Sequence, residues 1–121
     1  MAVFSDRLER EANLWLATTR PDGRPHLVPI WFVWFENEIY ILTTLSTVKA
    51  KNLLANPRAS IALENGNQPV IAECTARRLV SPYTPELAAA FWTKYEWDIT
   101  RDGDHNAMFA LTPKKWLTWT A

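Results

Sequence analysis

The chain of 121 residues has few cysteines, glycines and histidines, the residue types on which several classes of functional site depend. Its one cysteine, Cys74, excludes an internal disulfide and predicts an inert core thiol in a reducing compartment. Its three glycines all fall in predicted turns, which excludes glycine-rich phosphate loops and the serine elbow of hydrolases. Its two histidines have no Cys, Asp or Glu partner at metal-ligand spacing. We therefore expect no metal site and no catalytic motif of local sequence.

The chain also has no net charge and no long apolar segment. The 13 basic and 13 acidic side chains cancel, which falls short of the basic surface of a nucleic-acid-binding domain. The longest apolar stretch, Leu27 to Phe35, contains Pro29 and is far shorter than the roughly 20 residues that span a bilayer. The N-terminus lacks the apolar region of a secretory signal. We expect a cytoplasmic protein with neither a nucleic-acid nor a membrane partner.

The composition that is present, with 48% hydrophobic residues, predicts one globular domain over residues 1–121. Propensity, capping and turn signals predict three helices among the strands. The predicted helices are Phe4–Ala12 with Ser5 as N-cap, Thr47–Asn56 and Leu87–Trp97. The predicted strands are Asn13–Thr19, His26–Phe35, Ile39–Thr43, Ala59–Leu63, Val70–Val80, Ala107–Leu111 and Trp116–Thr120.

This order predicts an α+β fold, in which a mainly antiparallel barrel carries helices at its ends. The Pro-Asp-Gly turn at residues 21–23 and the turn at 36–38 make the first three strands a predicted hairpin meander. The nearly continuous apolar run from His26 to Phe35 favours a central strand covered on both faces.

The strongest local candidate for a ligand site joins the third strand to the second helix. Hydroxyls at Thr43, Thr44 and Thr47 can donate to phosphate oxygens, and the helix N-terminus favours an anion at the same place. Lys49 adds a positive charge, and Asn52 lies one turn further along the same helix face. The alternative is a capped surface helix with solvated lysines.

The seven tryptophans suggest two further uses of aromatic side chains. One aromatic group could form either the core or a wall for a planar ligand; it comprises Trp31, Phe32, Trp34, Phe35 and Tyr40. A second group has more indoles than a small barrel can cover, which predicts a dimer interface; it comprises Trp92, Tyr95, Trp97, Trp116 and Trp119.

Two segments, Trp15 to Trp31 and Thr47 to Arg58, carry a resemblance to a known family. The first contains the Pro-Asp-Gly-Arg-Pro turn, and the second has the pattern Lys-x-x-Asn-Leu-x-x-Asn-Pro-Arg. Together they resemble the pyridoxamine 5′-phosphate oxidase-like flavin-binding split-barrel superfamily. The closest resemblance is to its branch of deazaflavin (coenzyme F-420)-dependent enzymes, from about Arg7 to Leu79.

The resemblance implies a split β-barrel of six to seven strands that forms a homodimer, with two FMN or F-420 sites at the subunit interface. Residues that match the family's positions beside the ring are Pro29, Ile30 and Trp31. Those that match positions beside the ribityl chain or phosphate are Thr43, Thr44, Thr47, Lys49 and Asn52, with Lys49 as the phosphate-binding lysine. Near the C-terminus, Trp119 of the partner subunit is expected to border the ring, and Trp116 is the second choice.

The sequence departs from the family pattern in two ways, which affect the expected cofactor affinity and the expected substrate. Many members have arginine where Val48 and Lys51 stand, so the phosphate site carries less charge and we expect weaker cofactor retention. After Leu79 the only arginine is Arg101, which argues against vitamin B6 oxidation.

We therefore expect an oxidoreductase that transfers a hydride between FMN or F-420 and a small conjugated substrate, with no side chain acting as acid or base. The first alternative is a non-catalytic flavin or tetrapyrrole carrier. The second is a plain interaction module.

Overall fold

A computed structural model describes residues 2–118. The helices are α1 (Ala2–Arg10), α2 (Val48–Ala55) and α3 (Pro85–Tyr95). The strands are β1 (Asn13–Thr19), β2 (Pro25–Trp31), β3 (Val33–Phe35), β4 (Glu38–Thr43), β5 (Arg58–Leu63), β6 (Val70–Leu79) and β7 (Ala107–Thr118). No helix in the described range is both long and apolar enough to cross a membrane.

The seven strands form one antiparallel sheet in the order β2-β1-β5-β6-β7-β4-β3. The sheet curls into a half-barrel flanked by the three helices, which confirms the predicted α+β barrel. Its concave side holds a core that includes Leu14, Leu16, Phe32, Ile61 and Phe109. A second apolar cluster lies beneath α3 and includes Val33, Leu42, Leu87, Phe91 and Met108.

The prediction of one central strand from His26 to Phe35 is wrong. The chain leaves the ladder at Phe32, so that β2 and β3 lie at opposite ends of the sheet order and no three-strand meander forms. Exposed and half-buried residues alternate along β2. Pro25 and Pro29 have no N–H to give to a ladder on both sides, which suits an edge strand. The apolar run was therefore an edge strand followed by a buried Phe32.

The two predicted hairpin turns are confirmed. Gly23 adopts φ +89°, and the Arg20 N–H donates to the Arg24 carbonyl at 2.9 Å to close the first turn. Glu36 and Asn37 both have positive φ, 50° and 61°, as in the two-residue turns that match the twist of paired strands.

The C-terminal strands predicted at Ala107–Leu111 and Trp116–Thr120 are one strand within the described residues. Cys74 is opposite Pro113 and Glu73 is opposite Lys115, so Lys114 is an extra residue in a bulge of β7. A bulge accommodates the proline without a ladder N–H. Cys74 is buried as predicted, and burial raises the pKa of its thiol to about 12.

Helix boundaries follow the local capping signals at α2 and α3. Thr47 caps α2 and Thr84 caps α3, each accepting a backbone N–H three residues on. The α3 helix ends earlier than predicted because Glu96 takes the left-handed conformation, φ 54°, which leaves Trp97 outside it. The predicted Ser5 cap is wrong, because α1 begins at Ala2 and Ser5 lies inside it.

Candidate functional site

A cavity of about 500 Å³ lies where β2 and β4 end and α2 begins, within the usual size range of ligand sites. We call it the first cavity. Its wall combines strand ends, the start of α2, the end of α3 and the loop that follows α3. It is lined by Ile30, Trp31, Leu42, Thr43, Lys49, Tyr95, Glu96, Trp97 and His105. Four predicted site residues, Ile30, Trp31, Thr43 and Lys49, thus meet in one wall.

Lys49 supplies the cation of this wall. Its ammonium has no hydrogen-bond or ion-pair partner among residues 2–118, and burial lowers its pKa. Because Lys49 is in the first turn of α2, its charge adds to the positive end of the helix dipole. An unpaired, partly desolvated ammonium at a helix start is suited to bind an anion such as a phosphate.

The threonines around Lys49 divide between the cavity and the protein's own framework. Thr43 is buried and lines the cavity, and its hydroxyl oxygen lies 3.5 Å from that of Thr47. The Thr47 hydroxyl donates to the Thr44 carbonyl at 2.7 Å and accepts the Ala50 N–H at 3.3 Å. The Thr44 hydroxyl donates to the Asp104 carbonyl at 3.1 Å. Thr44 and Thr47 therefore shape the approach to α2 rather than line the cavity.

The remaining predicted site residues that the structure describes lie away from the first cavity. Asn52 is buried, and its amide donates to the Thr18 hydroxyl at 3.0 Å, which holds α2 against β1. Pro29 is exposed on β2, opposite Trp15. Trp116 packs against Phe4, with ring centroids 4.6 Å apart. Trp119 lies outside the described residues.

Three aromatic side chains, Trp31, Tyr95 and Trp97, form part of the wall of the first cavity. The Trp31 and Tyr95 rings are stacked, with centroids 4.4 Å apart and 4° between their planes. The Trp97 ring meets Trp31 edge-on at 6.1 Å and His105 edge-on at 5.2 Å. This arrangement offers a planar ligand a rigid aromatic surface.

The Tyr95 hydroxyl fixes this surface to the point where the sheet breaks. It accepts the Phe32 N–H at 2.9 Å and lies 2.7 Å from the carbonyl oxygens of Phe32 and Ala12, one of which takes its proton. Burial raises the pKa of Tyr95 to about 12, although the bond from Phe32 opposes this. The Phe32 N–H, which has no ladder partner, is thus satisfied by a side chain.

The imidazole of His105 is held by Asp102 at the edge of the cavity. The Asp102 carboxylate lies 2.8 Å from His105 Nδ1 and accepts the Trp97 indole N–H at 2.8 Å. Burial acts to raise the pKa of Asp102, but the bonds from the His105 and Asp104 N–H groups and from Trp97 lower it to about 2. An ionised Asp102 accepts a hydrogen bond from Nδ1–H, so in the neutral tautomer that makes this bond Nε2 carries the free lone pair.

His105 was not predicted as a site residue, and Tyr95 and Trp97 were predicted to lie in a dimer interface. All three lie more than 45 residues beyond Lys49 in the chain, so no local spacing joins them to it. One signal was available, because Tyr95 and Trp97 close the predicted helix Leu87–Trp97 and carry rings of the kind that stack on planar ligands.

A sequence model of the family described as pyridoxamine 5′-phosphate oxidase matches residues 3–120. A comparison with curated protein sequences gave no significant match. Among solved structures, an F420 reductase has a TM-score of 0.76 and 22% identity, with 93% of this chain and 94% of that chain covered.

Two further solved structures share the fold. The heme storage protein HutZ from Vibrio cholerae has a TM-score of 0.82 and 19% identity, with 97% of this chain and 92% of that chain covered. HupZ from Group A Streptococcus has a TM-score of 0.76 and 14% identity, with 100% of this chain and 94% of that chain covered. Identities this low establish the shared fold. Because the family match spans nearly the whole chain, this protein belongs to the pyridoxamine 5′-phosphate oxidase family, with its split-barrel fold.

Proposed function

We propose that this chain binds FMN or coenzyme F-420 in the first cavity and transfers a hydride between that cofactor and a small conjugated substrate. The observation that carries the proposal is the unpartnered Lys49 ammonium at the start of α2, in the same wall as the Trp31–Tyr95 stack. One wall thus offers a charge for a phosphate and a surface for a ring. The similarity to an F420 reductase supports the same function.

Each part of the wall has a distinct role in this proposal. Lys49 and the N-terminus of α2 bind the phosphate, and the Thr43 hydroxyl bonds to the polar chain that joins phosphate to ring. The apolar side chains of Ile30, Trp31 and Leu42 contact the ring and exclude water from one of its sides. The bound cofactor supplies the hydride chemistry, and the protein supplies orientation and a dry surface.

We also propose that the chain acts as a homodimer, with Trp119 of the partner subunit beside the ring. Three large apolar side chains on β1 and β2 support this. The exposed fraction is 39% for Trp15, 61% for Leu27 and 47% for Trp31. Apolar surface of this kind is enriched at the centre of subunit interfaces. Sedimentation at micromolar concentration tests this proposal; we expect a dimer, and a monomer contradicts it.

The cofactor is tested by titrating the purified protein with FMN and with F-420 and recording the visible absorbance spectrum. We expect saturable binding of at least one of them, with a spectral shift from an aromatic environment. If neither binds, the proposal is wrong. Stopped-flow reduction of the bound cofactor, compared with free cofactor, then separates an enzyme from a carrier.

Haem binding is the second candidate, and the geometry of His105 favours it. Its Nδ1 is fixed by Asp102 while Nε2 is left available, which is the arrangement of metal-ligating imidazoles. The similar HutZ is a heme storage protein. A hemin titration tests this candidate: it predicts a Soret band that shifts in His105→Ala, and a band unaffected by that substitution contradicts it.

A further inference from the structure

A second cavity, of about 590 Å³, lies on the other side of His105. It is formed by the end of β6, the turn at residues 80–83 and the loop at residues 99–106. Its polar lining residues include Arg78, Ser81, Tyr83, Thr100, His105 and Asn106. Because His105 also lines the first cavity, the two cavities are neighbours that share this residue in their walls. A ligand in the second cavity is therefore next to whatever occupies the first.

Arg78 gives this cavity a positive charge that the protein does not neutralise. Its only hydrogen bond among the described residues is a long one, 3.4 Å, to the Asn106 carbonyl. The preceding residue, Arg77, instead makes two bonds to the Glu38 carboxylate, at 2.6 and 3.0 Å. Of two adjacent guanidinium groups, one is thus paired within the sheet and the other is left without a carboxylate.

The groups around Arg78 are donors. The Tyr83 hydroxyl has no partner among residues 2–118; burial raises its pKa, and the nearby Arg78 charge lowers it. The amide oxygen of Asn106 is occupied by the Leu45 N–H at 2.9 Å, which leaves its NH₂ group to donate. The one carboxylate in the lining, Asp102, already accepts bonds from Trp97 and His105. The described wall therefore has no free carboxylate to pair with the Arg78 guanidinium.

We propose that the second cavity binds a small planar molecule with a carboxylate group, and that this molecule is the hydride-transfer substrate. A single guanidinium matches a monoanion in charge, and its planar fork matches a carboxylate in geometry. A ligand anchored at Arg78 extends past Asn106 toward His105, and so toward the first cavity. The identification of the molecule as a substrate rests on the proposed function, but binding at Arg78 does not.

The test is a titration with cinnamate, a planar conjugated carboxylate, followed by NMR or calorimetry on the whole protein with and without cofactor. Cinnamamide is the neutral matched ligand. We expect cinnamate to bind more tightly than cinnamamide, and Arg78→Ala to weaken cinnamate binding at least about tenfold. Arg78→Lys should retain part of the affinity. Equal binding of the two ligands, or unchanged affinity in Arg78→Ala, overturns the proposal.

Arg101→Ala is the matched control, because that arginine is exposed like Arg78 but lies 3.7 Å from the Asp98 carboxylate on the same loop. It should bind cinnamate as the wild type does; an equal loss in both variants indicates a general charge effect and overturns the site. FMN and F-420 affinities of Arg78→Ala separate the two proposals. If a cofactor binds but cinnamate does not, the second cavity is misassigned. If cinnamate binds through Arg78 but neither cofactor binds, the oxidoreductase function fails instead.

Discussion

Two lysines, Lys49 and Lys94, are partly buried, and burial lowers the pKa of both. Their surroundings differ completely. The Lys94 ammonium lies 3.8 Å from the centre of the Phe32 ring and donates to the Leu8 carbonyl at 3.2 Å, near the C-terminal end of α1. The Lys49 ammonium has neither kind of contact within residues 2–118 and faces a cavity instead.

The two lysines differ in whether the protein itself supplies partners for the ammonium group. The Lys94 ammonium has a helix carbonyl and a ring face as partners, both supplied by the protein itself. The Lys49 ammonium has no such partner among residues 2–118. A partly buried charge without a protein partner marks a place where a ligand completes the interaction. We therefore expect substitutions near Lys94 to change stability and substitutions at Lys49 to change binding.

The largest expected effect is on cofactor affinity in Lys49→Ala. Loss of a charge-assisted hydrogen bond to the phosphate should weaken binding by about 1 to 3 kcal/mol. The free energy of unfolding without cofactor should stay within about 0.5 kcal/mol of wild type, because no contact is lost. Absorbance titration and urea denaturation measure the two quantities. Lys94→Ala is the control, with unchanged affinity; an unchanged dissociation constant in Lys49→Ala removes the phosphate assignment.

Tyr95→Phe should act in the opposite way, on stability. The substitution keeps the ring that stacks on Trp31 but removes the hydroxyl that bonds to Phe32, leaving a half-buried backbone group unsatisfied. We expect a loss of about 1 to 2 kcal/mol in the free energy of unfolding. Cofactor affinity should change little because the aromatic surface remains. A variant as stable as wild type means that water replaces the hydroxyl at the break in the sheet.

Thr47→Ala should have a smaller effect that falls on both properties. Thr47 is the N-cap of α2, and such a substitution costs about 1 kcal/mol of stability. Fraying of the first turn loosens Lys49 as well, so cofactor affinity should fall by less than it does in Lys49→Ala. Thr47→Ser retains the cap and should restore both. If stability falls while affinity does not, the first turn of α2 does not position the phosphate.

The features predicted correctly from the sequence are those that adjacent residues determine. The start of α3 and the turn at residues 36–38 each depend on a few consecutive residues. So does the start of α2 beside Lys49. These elements were therefore predicted within one or two residues at the ends that carry the signal.

The errors concern contacts between distant parts of the chain. The break at Phe32 depends on the Tyr95 hydroxyl, which is 63 residues away. The sequence showed the apolar run but not this partner, and so it predicted an unbroken strand. The aromatic side of the first cavity was missed for the same reason, because Trp97 and His105 reach it only after α3 packs on the sheet.

Lys94 also confers a pH dependence on stability. Burial lowers the pKa of Lys94 from 10.5 to about 8, while Glu11 and Glu9 act to raise it. Between pH 8 and 10.5 the unfolded chain therefore binds more protons at this residue than the folded protein, so its contribution to stability rises with pH. Other groups oppose this trend, since the pKa values of Cys74 and Tyr95 are raised.

The difference in unfolding free energy between wild type and Lys94→Met isolates the contribution of the lysine. Urea denaturation at pH 7, 8, 9 and 10 should show wild type gaining on Lys94→Met at each step above pH 8. A difference that is constant across this range means that the Lys94 ammonium is as well solvated in the folded protein as in the unfolded chain, and the contrast with Lys49 then rests on hydrogen bonding alone.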